Sequence, residues 1–302
     1  MRDDWPLLAR AGYDRAAHRR TDEQWLAEAW RTGRVLLLSP KSATPVAADG
    51  SMQPALRRSE ELPPDIPRRF LGVADATPYF TVTVEPDSDD WKTLRDIGPA
   101  VDDLQAGLVT SAVALEQWHQ RHTHCPLCGA ATRESNAGWT RTCPDDGSDH
   151  FPRTDPAVIM LIHDGADHAL LGRGQQWGAG RFSTLAGFVE PGESLEAAVA
   201  REVYEEVGVH VDHITYIASQ PWPFPSSLML GFSALLHGDA GIHLDPVEMA
   251  EAGWFTRAEV GRAAEWVDTG AEPDPSARVQ AISPKLSISR FLIDRWLADE
   301  LP

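Results

Sequence analysis

Residues 187–209 constrain this chain more than any other stretch. Gly187, Glu193, Arg201, Glu202, Val203, Glu205, Glu206, Gly208 and Val209 follow the pattern G-x5-E-x7-R-E-V-x-E-E-x-G-V without a break. Leu195, Ala197, Ala198 and Ala200, among glutamates and an arginine, favour a helix from Ser194 to Val207. Ser194 is a natural N-cap, and Gly208 a natural stop just past the last turn. At roughly 100° per residue, Glu202, Glu205 and Glu206 share about 100° of arc. Leu195, Val199, Val203 and Val207 recur every fourth residue as an adjoining apolar stripe that can dock on a sheet. Three carboxylates so close repel one another. A solvated acidic helix face is the bland explanation; a hard divalent cation, Mg²⁺ or Mn²⁺, held by carboxylates is the functional one. Within the full spacing pattern the functional reading prevails, and Arg201 is expected to pair with Glu193 or with a helix carboxylate.

Ten residues further on comes Ser219-Gln-Pro-Trp222-Pro-Phe224-Pro-Ser-Ser227. Its three prolines fix a stiff, extended segment unsuited to a central strand. Its two large rings need either burial in a core or a ligand to cover them. Upstream, Cys125-Pro-Leu-Cys128-Gly and Cys143-Pro-Asp-Asp146-Gly resemble the two turns of a zinc ribbon, except that Asp146 stands where a fourth cysteine is expected. Asp146 or His150 could complete a tetrahedron with Cys125, Cys128 and Cys143, or the site could be a vestige held by packing. Either way its role is structural.

The 302 residues suffice for two domains. A content of 42% apolar and 24% charged residues is that of a soluble globular chain. The net charge of −18 argues against a nucleic-acid-coating role and requires an anionic substrate to be met by metal ions or a few placed cations. No apolar run approaches membrane-spanning length, and the N-terminus does not read as a signal peptide. With three cysteines and one C-x2-C, a reducing cytoplasm is the expected location.

Helices are expected over residues 22–32 and 104–122, and strands near residues 34–39, 79–84, 157–162, 169–172, 214–219 and 228–236. An amphipathic helix closes the chain from Ser287, and residues 266–279 read as a polar surface loop. Three regions result: an α+β domain over 1–120, a ribbon-like segment over 121–152, and a catalytic domain over 153–302.

The run at 187–209 is similar to the box of the Nudix hydrolases, which cleave diphosphates linked to a nucleoside. The S-Q-P-W-P-F-P-x-S segment at that distance resembles the signature of their NADH pyrophosphatase, or NudC-type, branch. The order of domain, ribbon and box matches that branch along the whole chain. The resemblance implies a Nudix α/β/α sandwich at the C-terminus, and hydrolysis of NADH or NAD⁺ to nicotinamide mononucleotide and AMP. Removal of NAD caps from RNA 5′ ends uses the same bond cleavage. It implies metal ligation by Glu202, Glu205, Glu206 and Glu248, with Glu206 or Glu205 as general base. Phe188 would stack on the nicotinamide, with Phe151, Ile159, Ser227, Glu248, Glu251 and Ser289 around it. Trp222 and Phe151 would reach a partner subunit's pocket in a homodimer. Two other readings remain: a Nudix hydrolase for another nucleotide such as ADP-ribose or a dinucleoside polyphosphate, and a catalytically silent nucleotide sensor.

Overall fold

The computed structural model describes residues 5–302. They form two compact units, Leu7–Thr154 with the segment Pro221–Ser227, and Asp155–Gln220 with Leu228–Pro302.

In the first unit, Arg34–Leu38 pairs in parallel with Thr77–Thr83, which pairs antiparallel with Arg69–Ala74. The two-residue strand Arg57–Arg58 forms the other edge of this sheet. Asp22 caps the helix Glu23–Arg31 by accepting from the Trp25 N–H at 3.0 Å. That helix packs with Trp30 against Val35, Leu37, Phe70, Phe80 and Val82. Helix Asp103–Arg121 contacts the same strands, and the alternate residues Leu36, Leu38 and Leu71 are also buried. With both faces covered, Thr81 is buried too, so the threonine alternation in this strand does not mark a wet face.

The ribbon follows as three short strands, Arg133–Ser135, Thr140–Thr142 and Asp149–His150. Its two turns are built alike. Gly129 donates to the Cys125 carbonyl at 2.9 Å and Gly147 to the Cys143 carbonyl at 3.1 Å, both glycines at positive φ. Cys-Pro-Asp-Asp-Gly thus folds into the same turn as Cys-Pro-Leu-Cys-Gly.

The second unit holds a six-stranded sheet. Its strands run in the order His210–Trp222, Ser227–His237, Asp155–His163, His168–Gly174, Met249–Thr256, and Leu185–Phe188 pairs with the first half of Asp155–His163. Residues 157–162 show no apolar alternation because both faces of that strand are buried. Val158, Met160 and Ile162 meet Val199, Val203 and Val207 of the box helix. Ile159 and Leu161 meet Ile288, Leu292, Ile293 and Trp296 of the C-terminal helix Ile288–Leu297, along with Val260 and Phe255. The result is the α/β/α sandwich expected from the sequence.

The expected loop at 266–279 is corrected at its start, since a helix runs over Arg257–Thr269 and carries Trp266. Thr256 and Glu259 form its capping box and Gly270, at φ 69°, ends it. Among the described residues no helix is long and apolar enough to cross a membrane.

Val203 is fully buried where the box helix meets the sheet. Its replacement by alanine should cost about 2 kcal/mol through lost burial and an unfilled cavity. Exposed Glu196→Ala on the same helix should change stability by less than about 0.5 kcal/mol. Urea unfolding of the two variants checks the contrast.

Candidate active site

The site is built on the helix Leu195–Val207 and the loop that leads into it. The Ser194 side chain accepts from the Ala197 N–H at 3.2 Å, and Gly208 at φ 70° returns its N–H to the Tyr204 carbonyl at 2.9 Å. These caps set the helix phase, and the apolar stripe fixes its rotation against the sheet. Glu202 and Glu206 consequently lie buried beside the strand, at 9% and 8% exposure, while Glu205 stands in solvent.

Arg201 ties the parts together. Its Nε and Nη2 donate to the two oxygens of Glu193 at 2.8 and 2.9 Å. Nη2 also reaches the Phe188 carbonyl at 2.9 Å, and Nη1 reaches Glu202 and Glu205, each at 2.9 Å. The sequence raised Glu193 and a helix carboxylate as alternative partners; Arg201 takes both. Hydrogen bonds from Arg201 and from the Glu190 N–H bring the Glu193 carboxyl down to about 2. The Arg201 guanidinium is correspondingly held above its ordinary value, first by Glu193.

Gly187 lies directly against Glu202: a Cβ at this position would fall inside the Glu202 carboxylate. The glycine is therefore a requirement of close approach between strand and helix.

Glu206 receives no share of the Arg201 network. One of its carboxylate oxygens, Oε2, is buried without a hydrogen-bond partner among the described residues. Burial, and after it the charges of Glu202 and Glu248, push its carboxyl up to about 8. Glu202 is raised as well, by burial first and then by Glu205 and Glu248, against the pull of Arg201. Glu248 arrives from elsewhere in the chain on a turn that sequence reasoning did not anticipate. The Asp245 N–H donates to the Glu206 carbonyl at 3.1 Å, and the Asp245 side chain accepts from Val247 at 2.8 Å. An Asp-Pro at the start of such a turn is a legible signal.

Phe188 follows Gly187 on the strand and is 61% exposed. The other expected substrate residues are placed differently. Glu251 is exposed and ion-pairs with Arg173 at 3.4 Å. Ile159 is buried on the sheet face away from the box helix, packed toward the C-terminal helix. Ser289 is 1% exposed, and its hydroxyl is shared with Ser183 at 2.8 Å and Thr184 at 2.9 Å. In the first unit, Phe151 is 67% exposed, while Trp222 and Phe224 meet edge to face with Arg95 over both rings. Nothing in the spacing of the sequence pointed to Arg95. Ser227 opens the strand that returns from this tip.

In the ribbon, ligand atoms of Cys125, Cys128, Cys143 and Asp146 lie within 4.8 Å of one another. The Cys128 and Cys143 sulfurs are 3.4 Å apart, and the Cys125 sulfur is 3.4 Å from an Asp146 oxygen. Burial opposes ionisation of the Cys125 thiol, but hydrogen bonds from Ser148 and from the Cys128 and Leu127 N–H groups outweigh it and bring the thiol down to about 7. His150, the alternative fourth ligand, turns Nε2 toward the Ser148 hydroxyl at 3.1 Å.

Comparison with known proteins agrees with this geometry. Residues 153–274 match the NUDIX domain, residues 120–151 the NADH pyrophosphatase zinc ribbon domain, and residues 26–118 the NADH pyrophosphatase-like rudimentary NUDIX domain. The chain is a Nudix hydrolase, a pyrophosphohydrolase by class. Within that superfamily it belongs to the NADH pyrophosphatase, or NudC-type, family. The NAD-capped RNA hydrolases NudC of Mycobacterium bovis and Mycobacterium tuberculosis are each 41% identical to it over 305 residues, covering 98% of this chain and 96% of theirs. The NAD-capped RNA hydrolase NUDT12 of Homo sapiens is 46% identical over 202 residues, covering 64% of this chain and 42% of that protein.

The buried carboxyls make stability depend on pH in a definite direction. Glu206 titrates near 4.5 when unfolded and near about 8 in the metal-free fold. Between those values the folded chain holds a proton that the unfolded chain has released, so stability falls as pH rises through the window. In a chelator the melting temperature should drop from pH 5 to pH 8, roughly following this linkage. Glu206→Gln should flatten the profile in differential scanning calorimetry.

Proposed function

We propose that this chain hydrolyses the pyrophosphate bond of NADH and NAD⁺, giving nicotinamide mononucleotide and AMP, with Mg²⁺ or Mn²⁺ as cofactor. The observation that carries the reading is the Glu202–Glu206 carboxylate pair, buried, mutually repelling and with one oxygen partnerless, one peptide step from an exposed aromatic ring. Such a donor set fits a hard divalent cation. Glu202, Glu205, Glu206 and Glu248 would hold the ions. When bound, they offset the charge of the diphosphate and make a water easier to deprotonate.

The chain's own residues then have separate tasks. Glu206, free of Arg201, takes the proton of the attacking water. Glu205, the alternative base, has one oxygen committed to Arg201. Arg201 keeps the loop, the strand and the helix carboxylates in register. Phe188 offers its face to the nicotinamide, and Glu251 stands on the strand after Glu248. Ile159 and Ser289, both buried, would support the pocket from beneath.

The same cleavage would release NAD caps from RNA 5′ ends, a reading supported by the identity to the NAD-capped RNA hydrolases over nearly the whole chain. The exposed Phe151 ring and the partly exposed Trp222 support a homodimeric unit.

Chelation should abolish NADH hydrolysis and Mg²⁺ or Mn²⁺ should restore it, while Glu206→Gln should lower kcat by on the order of a hundredfold or more with little change in KM. Assays with NADH and ADP-ribose in parallel test the substrate class. Turnover that survives chelation would overturn the metal mechanism, and equal kcat/KM for the two substrates would overturn the nicotinamide reading.

For the ribbon we propose one structural zinc ion on Cys125, Cys128, Cys143 and Asp146. Sulfurs of a zinc tetrahedron lie about 3.8 Å apart, which the cluster can meet with small adjustments. Asp146 is oriented for the role because its other oxygen accepts from the Ser148 N–H at 2.8 Å and hydroxyl at 2.5 Å. Purified protein should contain one zinc per chain by atomic absorption. Asp146→Cys should retain it and Asp146→Ala should lose most of it. Metal-free wild-type protein from zinc-replete cells would overturn the assignment.

A further inference from the structure

One cavity of about 260 Å³ lies in the first unit and is lined by none of the residues assigned above. Arg31, Arg34, Arg58, Ser59 and Thr77 line it. The three arginines come from three elements. Arg31 ends the helix Glu23–Arg31, Arg34 opens the central strand, and Arg58 sits on the two-residue edge strand. The Ser59 N–H donates to the Gly33 carbonyl at 3.2 Å and so joins the segments that carry them.

The strand register opposes like charges. Arg34 and Arg58 are direct antiparallel partners, an arrangement that destabilises a sheet unless something anionic offsets it. Among the described residues, Arg31 and Arg34 have no carboxylate within ion-pair distance. Glu60 also lines the cavity and pairs with Arg58 at 3.1 Å, but both side chains are more than 60% exposed, and such a pair is worth little in water. An excess of positive charge therefore remains, in a chain whose net charge is −18.

We propose that this pocket binds a phosphate group. The guanidiniums suit the planar, forked recognition of phosphate oxygens, and the hydroxyls of Ser59 and Thr77 supply further donors. The phosphate has two potential sources: the backbone of the RNA behind an NAD cap, or free phosphate in solution. The RNA source rests on the cap-removal reading; the phosphate site itself does not.

Titration of the full chain with inorganic phosphate, followed by ³¹P NMR without added Mg²⁺, tests the site. Arg34→Gln should weaken binding about tenfold and the Arg34→Gln/Arg58→Gln pair should abolish it, whereas Arg34→Lys should keep most of it. Circular dichroism and melting temperature confirm that the variants are folded. If RNA is the source, the double variant should lower kcat/KM about tenfold on an NAD-capped RNA of about ten nucleotides and weaken its salt dependence, leaving NAD⁺ hydrolysis unchanged. Equal rates on capped RNA alongside lost phosphate binding assign the site to free phosphate. Wild-type protein that binds no phosphate, or folded variants that bind it as wild type does, would overturn the proposal. Failure of the wild type on capped RNA while phosphate still binds would remove the cap-removal reading and leave the site standing.

Discussion

The contacts of the Arg201 guanidinium hold the catalytic region in one piece. One side chain spans the Glu193 loop, the Phe188 carbonyl at the end of the strand, and two carboxylates of the helix. A lysine could not do this, because its donors radiate from one point, whereas a guanidinium presents a rigid planar fork. The arginine also divides the helix carboxylates electrically. Glu202 and Glu205 share its charge and Glu206 does not, which leaves a buried deficit beside a partly neutralised neighbour. The proposed metal site would need that imbalance: enough positive charge for the chain to fold without ions, too little to satisfy the cluster without them.

The ribbon shows the same economy in another form. Both turns place a glycine N–H on the first cysteine's carbonyl, and both begin Cys-Pro. The fold of the second turn depends on this backbone pattern and tolerates a change in the ligand itself. Asp146 therefore occupies the geometric place of a cysteine, and the Ser148 N–H and hydroxyl donate to one of its oxygens and hold its direction.

Much of the site was legible because helical periodicity converts spacing into direction. Glu202, Glu205 and Glu206 share one side of the helix, with the valine stripe beside them, and the caps at Ser194 and Gly208 stand where the sequence put them. The central strand was legible from its unbroken apolar run. What escaped depended on distant chain. The turn that sends Glu248 toward the helix is held by the Glu206 carbonyl, and Arg95 meets the Trp222–Phe224 rings from over a hundred residues earlier in the sequence. The helix Arg257–Thr269 was missed for a different reason. Its polar surface outweighed the capping box and terminal glycine that announced it. Ile159 and Ser289 are buried, a depth that a matching place in a motif does not reveal.

Gly187 has a consequence beyond making room. With no side chain between the strand and Glu202, the backbone and the carboxylate are in direct van der Waals register. Phe188, the next residue, carries the exposed ring. The Phe188 backbone is therefore held one peptide unit from the point where the strand meets the carboxylate, and only the torsions of its own side chain move the ring. Under the proposed assignment, the separation between a ligand's flat group and its charged bridge would be limited by that peptide unit and by the reach of one side chain.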